Sequence, residues 1–451
     1  MTAQLRPFQQ EIVDAILTGK SKVIAAEQGL GKTYCAIAIA DAEEAKNILV
    51  ITTNSAKLAW KQEIKQRSKR RSCVVTPYNA AAVKLDPDFD GKVVWRVINY
   101  DKLSRTDNGF LQALKDVGPF DIIILDEAHL AKDIVSNRTK AIYGSNGLMH
   151  HTKRILPMSG TLAPNNAGEI WTHIRALDPQ LILNSKGIPM TRIEFENRYC
   201  QVEERRIGTG RNVRLIRGSK NIPELRERLG KFIIRKTKRE CLPELPDISF
   251  TTVPLEIRDM TAIDASRPYE HEPDDDVFMK TISSDEHIMK QLVQLGIAKA
   301  AAASLYLHDF LIDDPTRKII VWFTNTAPLD YAFRQLGRFR PVRIDGRDST
   351  TAREFAIHTF LNDNRCQIFM GNIAAAGEGI TLLNEFTQPT DVFFVQSMFS
   401  PGRNAQAAAR CHRIGQRSAV LVRHFVADGS WLDKRIQEIL IRKENELAEL
   451  I

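Results

Sequence analysis

The stretch from residue 22 to residue 40 reads KVIAAEQGLGKTYCAIAIA: a short apolar run, a glycine-rich turn, and a second apolar run of helical length. The first run is typical of a buried strand, and the second can continue as a helix. Glycines at such a turn let backbone N–H groups approach phosphate oxygens closely. The sequence therefore predicts a phosphate loop at Gly29, Leu30, Gly31, Lys32 and Thr33. In this loop Lys32 would contact the β and γ phosphates, and the Thr33 hydroxyl would bind Mg²⁺.

The match to a phosphate loop has one departure. The strict pattern G-x-x-x-x-G-K-T requires a glycine where this chain has Ala26. A glycine-rich turn that binds no nucleotide is therefore the alternative interpretation. A second motif, about ninety residues further along the chain, makes that alternative less favourable.

The second motif follows the run 120–125, which has the pattern of a buried parallel strand and leads directly into Asp126 and Glu127. Acidic residues at the carboxyl end of a central parallel strand face the crevice in which ligands bind. We predict that Asp126 holds Mg²⁺, partly through water, and that Glu127 orients and polarises the water that attacks the γ-phosphate. The alternative is a surface Asp-Glu pair that opens a helix.

The rest of the chain repeats this alternation of apolar runs and helix-length segments, which favours parallel sheets covered by helices on both faces. Strands are predicted at 22–26, 48–52, 93–98, 122–125 and 155–158, and again at 318–323, 341–344, 367–370, 391–395 and 420–425. The predicted fold class is α/β with two lobes, each a parallel sheet flanked by helices, and helical insertions between them. The predicted domains are an N-terminal ATP-binding lobe at 1–245 with a helical insertion at about 165–240, a helical linker at 246–315, and a C-terminal lobe at 316–451.

A third motif, QAAARCHRIGQ, spans residues 406–416. On a helix, Gln406, Arg410 and Arg413 would share one face, because they are spaced at i, i+4 and i+7. Two planar guanidinium groups that stay charged would then suit the γ-phosphate in a transition state. An exposed basic helix is the alternative.

The chain is basic: 63 Lys and Arg against 55 Asp and Glu give a net charge of +8. The stretch 202–240 alone carries 13 basic residues against 5 acidic ones, a surplus as large as that of the whole chain. Such a surplus suits a polyanionic partner, and we predict that residues 202–238, with Arg211, Arg214 and Arg217, lie along its phosphate backbone. The cluster 57–71 has seven basic residues against one glutamate, and there a solvated helix face is an equally good interpretation.

Other features exclude some classes of protein. The six cysteines form no C-x-x-C pair, so neither a zinc knuckle nor a disulfide framework is indicated. The start of the chain lacks the apolar core of a signal sequence, and no apolar run approaches the roughly 18 residues that span a membrane. We therefore expect a soluble, intracellular protein, in a bacterial or phage-infected cytoplasm or in a nucleus.

The three motifs together resemble those of the Swi/Snf family of helicase superfamily two, and the resemblance covers nearly the whole chain. The segment LRPFQ at 5–9 is similar to the family's adenine-recognition segment, which implies that Gln9 lies beside the base. Ser159-Gly160-Thr161 is similar to motif III, and AGEGITL at 376–382 to motif V, in which Gly379 contacts nucleotide. The most specific match is HRIGQ at 412–416. Residues 195–200 and 234–246 resemble the annealing-helicase subgroup.

The resemblance implies two RecA-like lobes, ATP and Mg²⁺ as cofactors, and an ATPase that translocates along double-stranded DNA through contacts with its backbone. A strand-separating DNA or RNA helicase is one alternative, and a nucleotide-switched clamp is another. The presence of Lys32, Glu127 and the two arginines counts against the clamp, because a switch needs no water-orienting glutamate. No membrane partner is expected, and the protein partners stay unknown.

Overall fold

The computed structural model describes residues 4–84, 93–105, 109–160, 162–163, 166–207, 211–257, 278, 282–283, 285–377, 380–383 and 389–450; at 205–207, 211–213, 217, 350 and 443–450 it describes the backbone only. The chain divides into two compact units. The first unit is Met1–Pro243 with Leu447–Ile451, and the second is Glu244–Glu446.

The first unit is built on a parallel sheet of seven strands, in the order β3-β4-β2-β5-β6-β1-β9. A separate antiparallel pair, β7 and β8, lies outside that sheet. The strands of this unit are β1 (Val23–Ala26), β2 (Asn47–Thr52), β3 (Ser72–Val75), β4 (Val93–Asn99), β5 (Phe120–Asp126), β6 (Thr152–Ser159), β7 (Cys200–Ile207), β8 (Arg211–Ser219) and β9 (Ile233–Lys236).

Helices cover the sheet because its central strands are apolar on both faces. They are α1 (Pro7–Leu17), α2 (Lys32–Ala42), α3 (Lys57–Arg67), α4 (Ala80–Val83), α5 (Tyr100–Ser104), α6 (Phe110–Asp116), α7 (Asn137–Tyr143), α8 (Trp171–Leu177), α9 (Arg192–Tyr199), α10 (Ile222–Leu229) and α11 (Lys238–Cys241). Short 3₁₀ helices lie at Ala128–Ala131, Leu148–His151, Ala167–Ile170 and Pro179–Ile182. The core of the unit includes Leu49, Ile123 and Leu125 from the strands and Trp171 and Ile174 from α8.

The strand register brings the motifs together at one edge of this sheet. Asp126, the last residue of β5, pairs with Met158 in β6, and Ser159 pairs with Ala25 in β1. Parallel strands all end at the same edge, so the phosphate loop and both other motifs of this unit leave the sheet on one side.

The second unit has a parallel sheet of six strands, in the order β10-β15-β14-β11-β13-β12. Its strands are β10 (Ile248–Glu256), β11 (Ile319–Phe323), β12 (Val342–Ile344), β13 (Ile368–Asn372), β14 (Thr390–Phe394) and β15 (Val420–Asp428). Its helices are α12 (Glu286–Ile312), α13 (Thr326–Gln335), α14 (Thr350–Asn362), α15 (Ile373–Ala376), α16 (Pro401–Ala408) and α17 (Trp431–Leu450), with a 3₁₀ turn at Gly337–Phe339.

The longest helix of the second unit, α12, corrects one prediction. By length and composition it could cross a membrane, so an apolar run of that length does occur. Core helices of soluble proteins can have the same length and composition, and α12 is packed as such a helix is. Its Ala300, Ala303 and Leu307 are buried against Ile319 and Val321 of β11.

Every strand predicted from the alternation is present, and both lobes are parallel α/β units as predicted. The predicted helical insertion and helical linker contain strands as well as helices. The insertion contains the hairpin β7–β8, whose alternating charged side chains obscured its strand pattern, and the strand β9. The linker contains β10, which joins the second sheet beside β15 as an edge strand, a position that accepts its Pro254.

Candidate nucleotide site

The phosphate loop lies between β1 and α2. Gly29 and Gly31 both have left-handed backbones, with φ of 87° and 81°, a region that strains any residue with a Cβ atom. Gly31 is the N-cap of α2, and Lys32 is the first residue of that helix. The loop therefore ends at a helix N-terminus, where backbone N–H groups without intrahelical partners can donate to an anion.

Gln9, predicted to lie beside the base, supports the loop from α1. Its side-chain amide nitrogen donates to the Leu30 carbonyl at 3.0 Å, and its amide oxygen accepts from the backbone N–H of Arg6 at 3.0 Å. The Gln9 side chain is buried. Both ends of the amide are thus engaged with the protein, and the contact fixes the position of Leu30 in the loop.

Lys32 points back over the loop. Its ammonium group donates to the Ala26 carbonyl at 2.8 Å and to the Glu27 carbonyl at 3.5 Å. A Cβ atom on Gly160, in motif III, would lie 3.6 Å from the same nitrogen. The lysine charge is therefore placed between the phosphate loop and motif III. Thr33, the next residue of α2, is partly exposed.

Asp126 is the most constrained carboxylate of the site. Its Oδ2 accepts from the Thr52 hydroxyl at 2.8 Å and from the Trp60 indole N–H at 2.8 Å. The Tyr100 hydroxyl donates to the Asp126 backbone carbonyl at 2.9 Å. Burial, and then the neighbouring carboxylate of Glu127, raises the pKa of Asp126.

Glu127 adopts a left-handed backbone, with φ of 52°, an uncommon conformation for a residue with a long side chain. Its Oε2 accepts from the Ser159 hydroxyl at 3.4 Å and lies 3.4 Å from Nδ1 of His129. His129 Nδ1 and the Ser159 hydroxyl are 3.2 Å apart. The Asp-Glu motif after β5 and motif III are therefore joined through the side chain of Glu127, the predicted water-orienting residue.

The chemistry of these residues fits a magnesium ion bound together with nucleotide. No group of three or more His, Cys, Asp and Glu side chains that could hold a metal occurs among the described residues. Mg²⁺ at phosphoryl-transfer sites needs few protein ligands, because phosphate oxygens and water supply the rest. Asp126 offers one: two donors fix its Oδ2, while Oδ1 receives no hydrogen bond from the described part of the chain.

The third motif lies in the second unit, and its predicted helix face is wrong. Helix α16 ends at Ala408, so Gln406 is helical whereas Arg410 and Arg413 lie in the turns that follow. The helix ends there because the Gln406 carbonyl accepts from Nε of Arg410 at 3.0 Å instead of from a backbone N–H one turn later.

The two arginines differ in their surroundings. Arg410 is 4% exposed and also donates through Nη1 to the Ile380 carbonyl at 3.3 Å. Arg413 is partly exposed and donates to the Thr381 hydroxyl at 2.7 Å. Both guanidinium groups therefore connect the third motif to the motif V segment. Gly379 of motif V and Thr161 of motif III lie outside the described residues.

The basic cluster 57–71 contains residues of two kinds. Arg70 is structural: its guanidinium donates to Asp41 Oδ1 at 3.0 Å and to the Ala40 carbonyl at 2.9 Å. Lys57 belongs to a positive surface, where burial and then the charge of Lys102 lower its pKa. A basic surface of this kind attracts anions.

The hairpin β7–β8 carries the second basic stretch. Arg214 donates to Glu204 Oε1 at 3.2 Å and to the Asn197 side-chain oxygen at 2.7 Å, so part of its charge is paired within the hairpin region. The side chains of Arg211 and Arg217 lie outside the described residues.

Sequence reasoning did not connect Asp126 with the three residues that hold it: Thr52, Trp60 and Tyr100. A signal for two of them was present in the chain. Thr52 is the last residue of β2 and Tyr100 directly follows β4, so both lie at the sheet edge where β5 ends. Trp60 lies on α3, and no local pattern relates it to Asp126.

Two parallel α/β units, a phosphate loop after β1 and an Asp-Glu pair after β5 are together typical of phosphate-loop nucleotide-binding proteins. The family model of the type III restriction enzyme res subunit matches residues 2–163. The chain is 28% identical over 450 residues to the DNA annealing helicase and endonuclease ZRANB3 of Bos taurus. The alignment covers 98% of this chain and 40% of that protein.

A second relative is the SWI/SNF-related matrix-associated actin-dependent regulator of chromatin subfamily A-like protein 1 of Drosophila melanogaster. It is 27% identical over 458 residues, covering 99% of this chain and 56% of that protein. Among solved structures, the SWI2/SNF2 ATPase core of Sulfolobus solfataricus in complex with double-stranded DNA aligns over 100% of this chain and 93% of its own, with 20% identity and a TM-score of 0.44.

The chain is similar along almost its whole length to Swi/Snf-related proteins, among them an annealing helicase, and this similarity confirms the predicted resemblance. It spans about half the length of these relatives or less. Proteins of this class use a nucleotide and a divalent metal ion.

Proposed function

We propose that the chain is the motor of a DNA translocase: an intracellular, soluble ATPase that hydrolyses ATP when bound to double-stranded DNA and moves along it. The observation that carries this proposal is the convergence of Lys32, Asp126 and Glu127 at one edge of the first sheet. Phosphoryl transfer to water requires a positive charge beside the phosphates, a carboxylate that binds the metal ion and a carboxylate that orients the water.

The first unit binds ATP. The backbone N–H groups of Gly29, Leu30 and Gly31 cradle the phosphates, and Lys32 adds a positive charge beside the β and γ phosphates. Asp126 and the Thr33 hydroxyl hold Mg²⁺, which when bound neutralises charge on the phosphate oxygens. Gln9 fixes Leu30 through its amide nitrogen. A contact between Gln9 and the adenine base would require the amide to exchange one of its two protein partners.

Glu127 orients the attacking water and accepts its proton. Its carboxylate is held by the Ser159 hydroxyl and lies beside His129, so its direction is fixed before water arrives. Preorganisation of this kind lowers the barrier because the reacting groups need not be reoriented during the reaction.

In the second unit we assign the arginines separate roles. Arg413, partly exposed, supplies positive charge to the transferring phosphoryl group, and Gly379 contacts nucleotide. Arg410, buried on two backbone carbonyls, holds the turn that presents Arg413. Arg410 is therefore a positioning residue that acts through Arg413.

Duplex DNA is proposed to lie on the basic residues of the first unit. Lys57, Lys61 and Lys65 project from α3, and Lys102 lies near Lys57. Contacts of lysine with phosphates bind without sequence preference, because they read the backbone and not the bases. The hairpin β7–β8 contributes further positive charge through Arg211, Arg214 and Arg217.

The proposal is tested by comparing ATP hydrolysis with duplex DNA, single-stranded DNA, forked DNA and RNA. Duplex DNA should stimulate hydrolysis more than RNA does. A triplex-forming strand should be displaced from duplex DNA in an ATP-dependent reaction, because movement along intact duplex dislodges it. A Lys32→Ala variant, which removes the positive charge that contacts the phosphates, serves as the control for both reactions.

A tailed duplex separates this proposal from a conventional helicase. A motor that moves along intact duplex should separate its strands poorly. Efficient unwinding of the tailed duplex, with hydrolysis driven mainly by single strands, would replace the translocase with a strand-separating helicase. Neutralising Arg211, Arg214 and Arg217 should weaken the salt dependence of DNA binding. The slope of log K against log salt concentration should become shallower by about 0.9 for each lost phosphate contact.

A further inference from the structure

Helix α3 has a buried face and a basic face. Trp60 and Ile64, one turn apart, are 1% and 0% exposed, and they fix the helix against the sheet. Lys57, Lys61 and Lys65 are intermediate or exposed on the remaining surface. A polyanion bound to these lysines would therefore contact the same rigid helix that carries Trp60.

The buried face of α3 reaches the catalytic site through one hydrogen bond. The Trp60 indole N–H donates to Asp126 Oδ2 at 2.8 Å, the same oxygen that accepts from Thr52 at 2.8 Å. Two donors on a single carboxylate oxygen restrict rotation of the carboxylate. The other oxygen, Oδ1, is thereby turned in a fixed direction and receives no hydrogen bond from the described residues.

A second buried tryptophan shows that packing alone does not explain this bond. Trp95, in β4, is 0% exposed, and its indole N–H has no hydrogen-bond partner among the described residues. The fold therefore tolerates a buried tryptophan whose N–H is unused. At Trp60 the N–H is directed at the one carboxylate that the site offers to a metal ion.

We propose that Trp60 is a positioning residue that holds the Asp126 carboxylate for Mg²⁺ and connects it to the basic helix α3. This inference rests on the proposed function, because it takes Asp126 as the metal-binding residue. Because α3 is rigid, any displacement of the helix by bound DNA would carry the indole N–H with it and change the direction of the Asp126 carboxylate. Trp60 thus gives the DNA-binding surface a direct connection to the metal-binding oxygen.

The test compares Trp60→Phe with Trp95→Phe, which remove the same N–H group from two buried positions. The first readout is the Mg²⁺ concentration needed for half-maximal binding of a fluorescent, non-hydrolysable ATP analogue. We expect Trp60→Phe to raise it several-fold, whereas Trp95→Phe leaves it unchanged. In hydrolysis at saturating Mg²⁺, Trp60→Phe should lower kcat with duplex DNA and leave KM for ATP nearly unchanged.

The second readout is the indole N–H resonances of the five tryptophans in ¹⁵N-labelled protein. The Trp60 resonance should shift when Mg²⁺ with the ATP analogue is added, and again when a short blunt duplex is added. The duplex-induced shift should disappear when Lys57, Lys61 and Lys65 are changed to alanine. If Trp60→Phe does not fold, the resonance is assigned by elimination from variants of the other four tryptophans.

The outcomes separate this inference from the proposed function. An unchanged Mg²⁺ requirement in a folded Trp60→Phe, or a Trp60 resonance that responds to neither addition, overturns the positioning role. A wild-type protein that binds Mg²⁺ and nucleotide but does not hydrolyse ATP with any DNA overturns the proposed function. In that case the Mg²⁺ titration and the resonances still decide the role of Trp60.

Discussion

The side-chain amide of Gln9 occupies the space that a Cβ atom on residue 31 would need: an ideal Cβ built on Gly31 would lie 2.5 Å from Nε2 of Gln9. The same amide donates to the Leu30 carbonyl, so it cannot move without releasing the loop. The left-handed backbone of Gly31 excludes ordinary side chains independently, at a cost of about 1 kcal/mol. Both α1 and the loop backbone therefore require glycine at this position.

Gly31→Ala should consequently lose most of its affinity for ATP while the remainder of the unit stays folded. Affinity is measured by titration with a fluorescent ATP analogue, and folding by circular dichroism. Gly402→Ala is the matched control, because a Cβ atom at that helical position meets nothing within 4 Å. Normal ATP binding by Gly31→Ala would show that the loop does not hold the phosphates.

Glu127→Gln should bind ATP with Mg²⁺ about as tightly as the wild type does, yet hydrolyse it at least about 10²-fold more slowly. The amide keeps the shape of the side chain and its contact with the Ser159 hydroxyl, but it cannot accept a proton from water. Equilibrium binding and single-turnover hydrolysis measure the two effects separately. An equal loss of binding and hydrolysis would assign Glu127 a structural role.

Arg413→Ala should bind nucleotide nearly normally and lose roughly 10³-fold in the DNA-stimulated rate, the scale of an arginine finger. Its guanidinium donates to the Thr381 hydroxyl and to the Ala409 carbonyl from a partly exposed position, so we expect the fold to tolerate its removal. Steady-state hydrolysis at saturating DNA gives the rate. Retained hydrolysis would exclude Arg413 as the finger.

Arg410→Ala, in contrast, should destabilise the second unit. Arg410 is buried and donates to the carbonyls of Gln406 and Ile380, which would be left without those donors. Thermal unfolding distinguishes the two variants: the midpoint should fall for Arg410→Ala and stay close to the wild-type value for Arg413→Ala. A reversed order would exchange the roles assigned to the two arginines.

His173 should make the first unit less stable in mild acid. Burial, and then the charge of His129, lowers the pKa of His173 to about 4 from 6.5. Below pH 6.5 the His173 imidazole is protonated in the unfolded chain but stays neutral in the folded unit. The free energy of unfolding therefore falls as the pH decreases from about 6.5 to about 4. The slope in that range is about 1.4 kcal/mol per pH unit for this one group.

Amide hydrogen exchange in β5 measures this effect inside the first unit. Protection should decrease more between pH 7 and pH 5 in the wild type than in His173→Gln, which has no titrating ring. His150→Gln, changed at an exposed histidine, is the control and should behave as the wild type does. An identical decrease in all three proteins would show that His173 is not the group that titrates.

The sequence by itself determined the elements whose signal is local. Strands such as β2 and β5 are unbroken apolar runs, and an apolar run with helix-length neighbours has few other stable arrangements than a covered parallel sheet. The phosphate loop and the Asp-Glu pair were evident because each motif is contiguous in the chain. Their placement at one sheet edge followed from a general property of parallel strands, which all end on the same side.

The tertiary structure decided what depends on partners distant in the chain. Trp60 and Thr52 hold Asp126 from 66 and 74 residues away, and no periodicity connects them. Helix α16 ends at Ala408 because the side chain of Arg410 donates a hydrogen bond to the Gln406 carbonyl of that helix. The spacing of residues along a helix does not reveal this contact. The hairpin β7–β8 and the edge strand β10 form because each has a strand to pair with, and pairing between strands overrides the weak local preference of a charged or proline-containing segment.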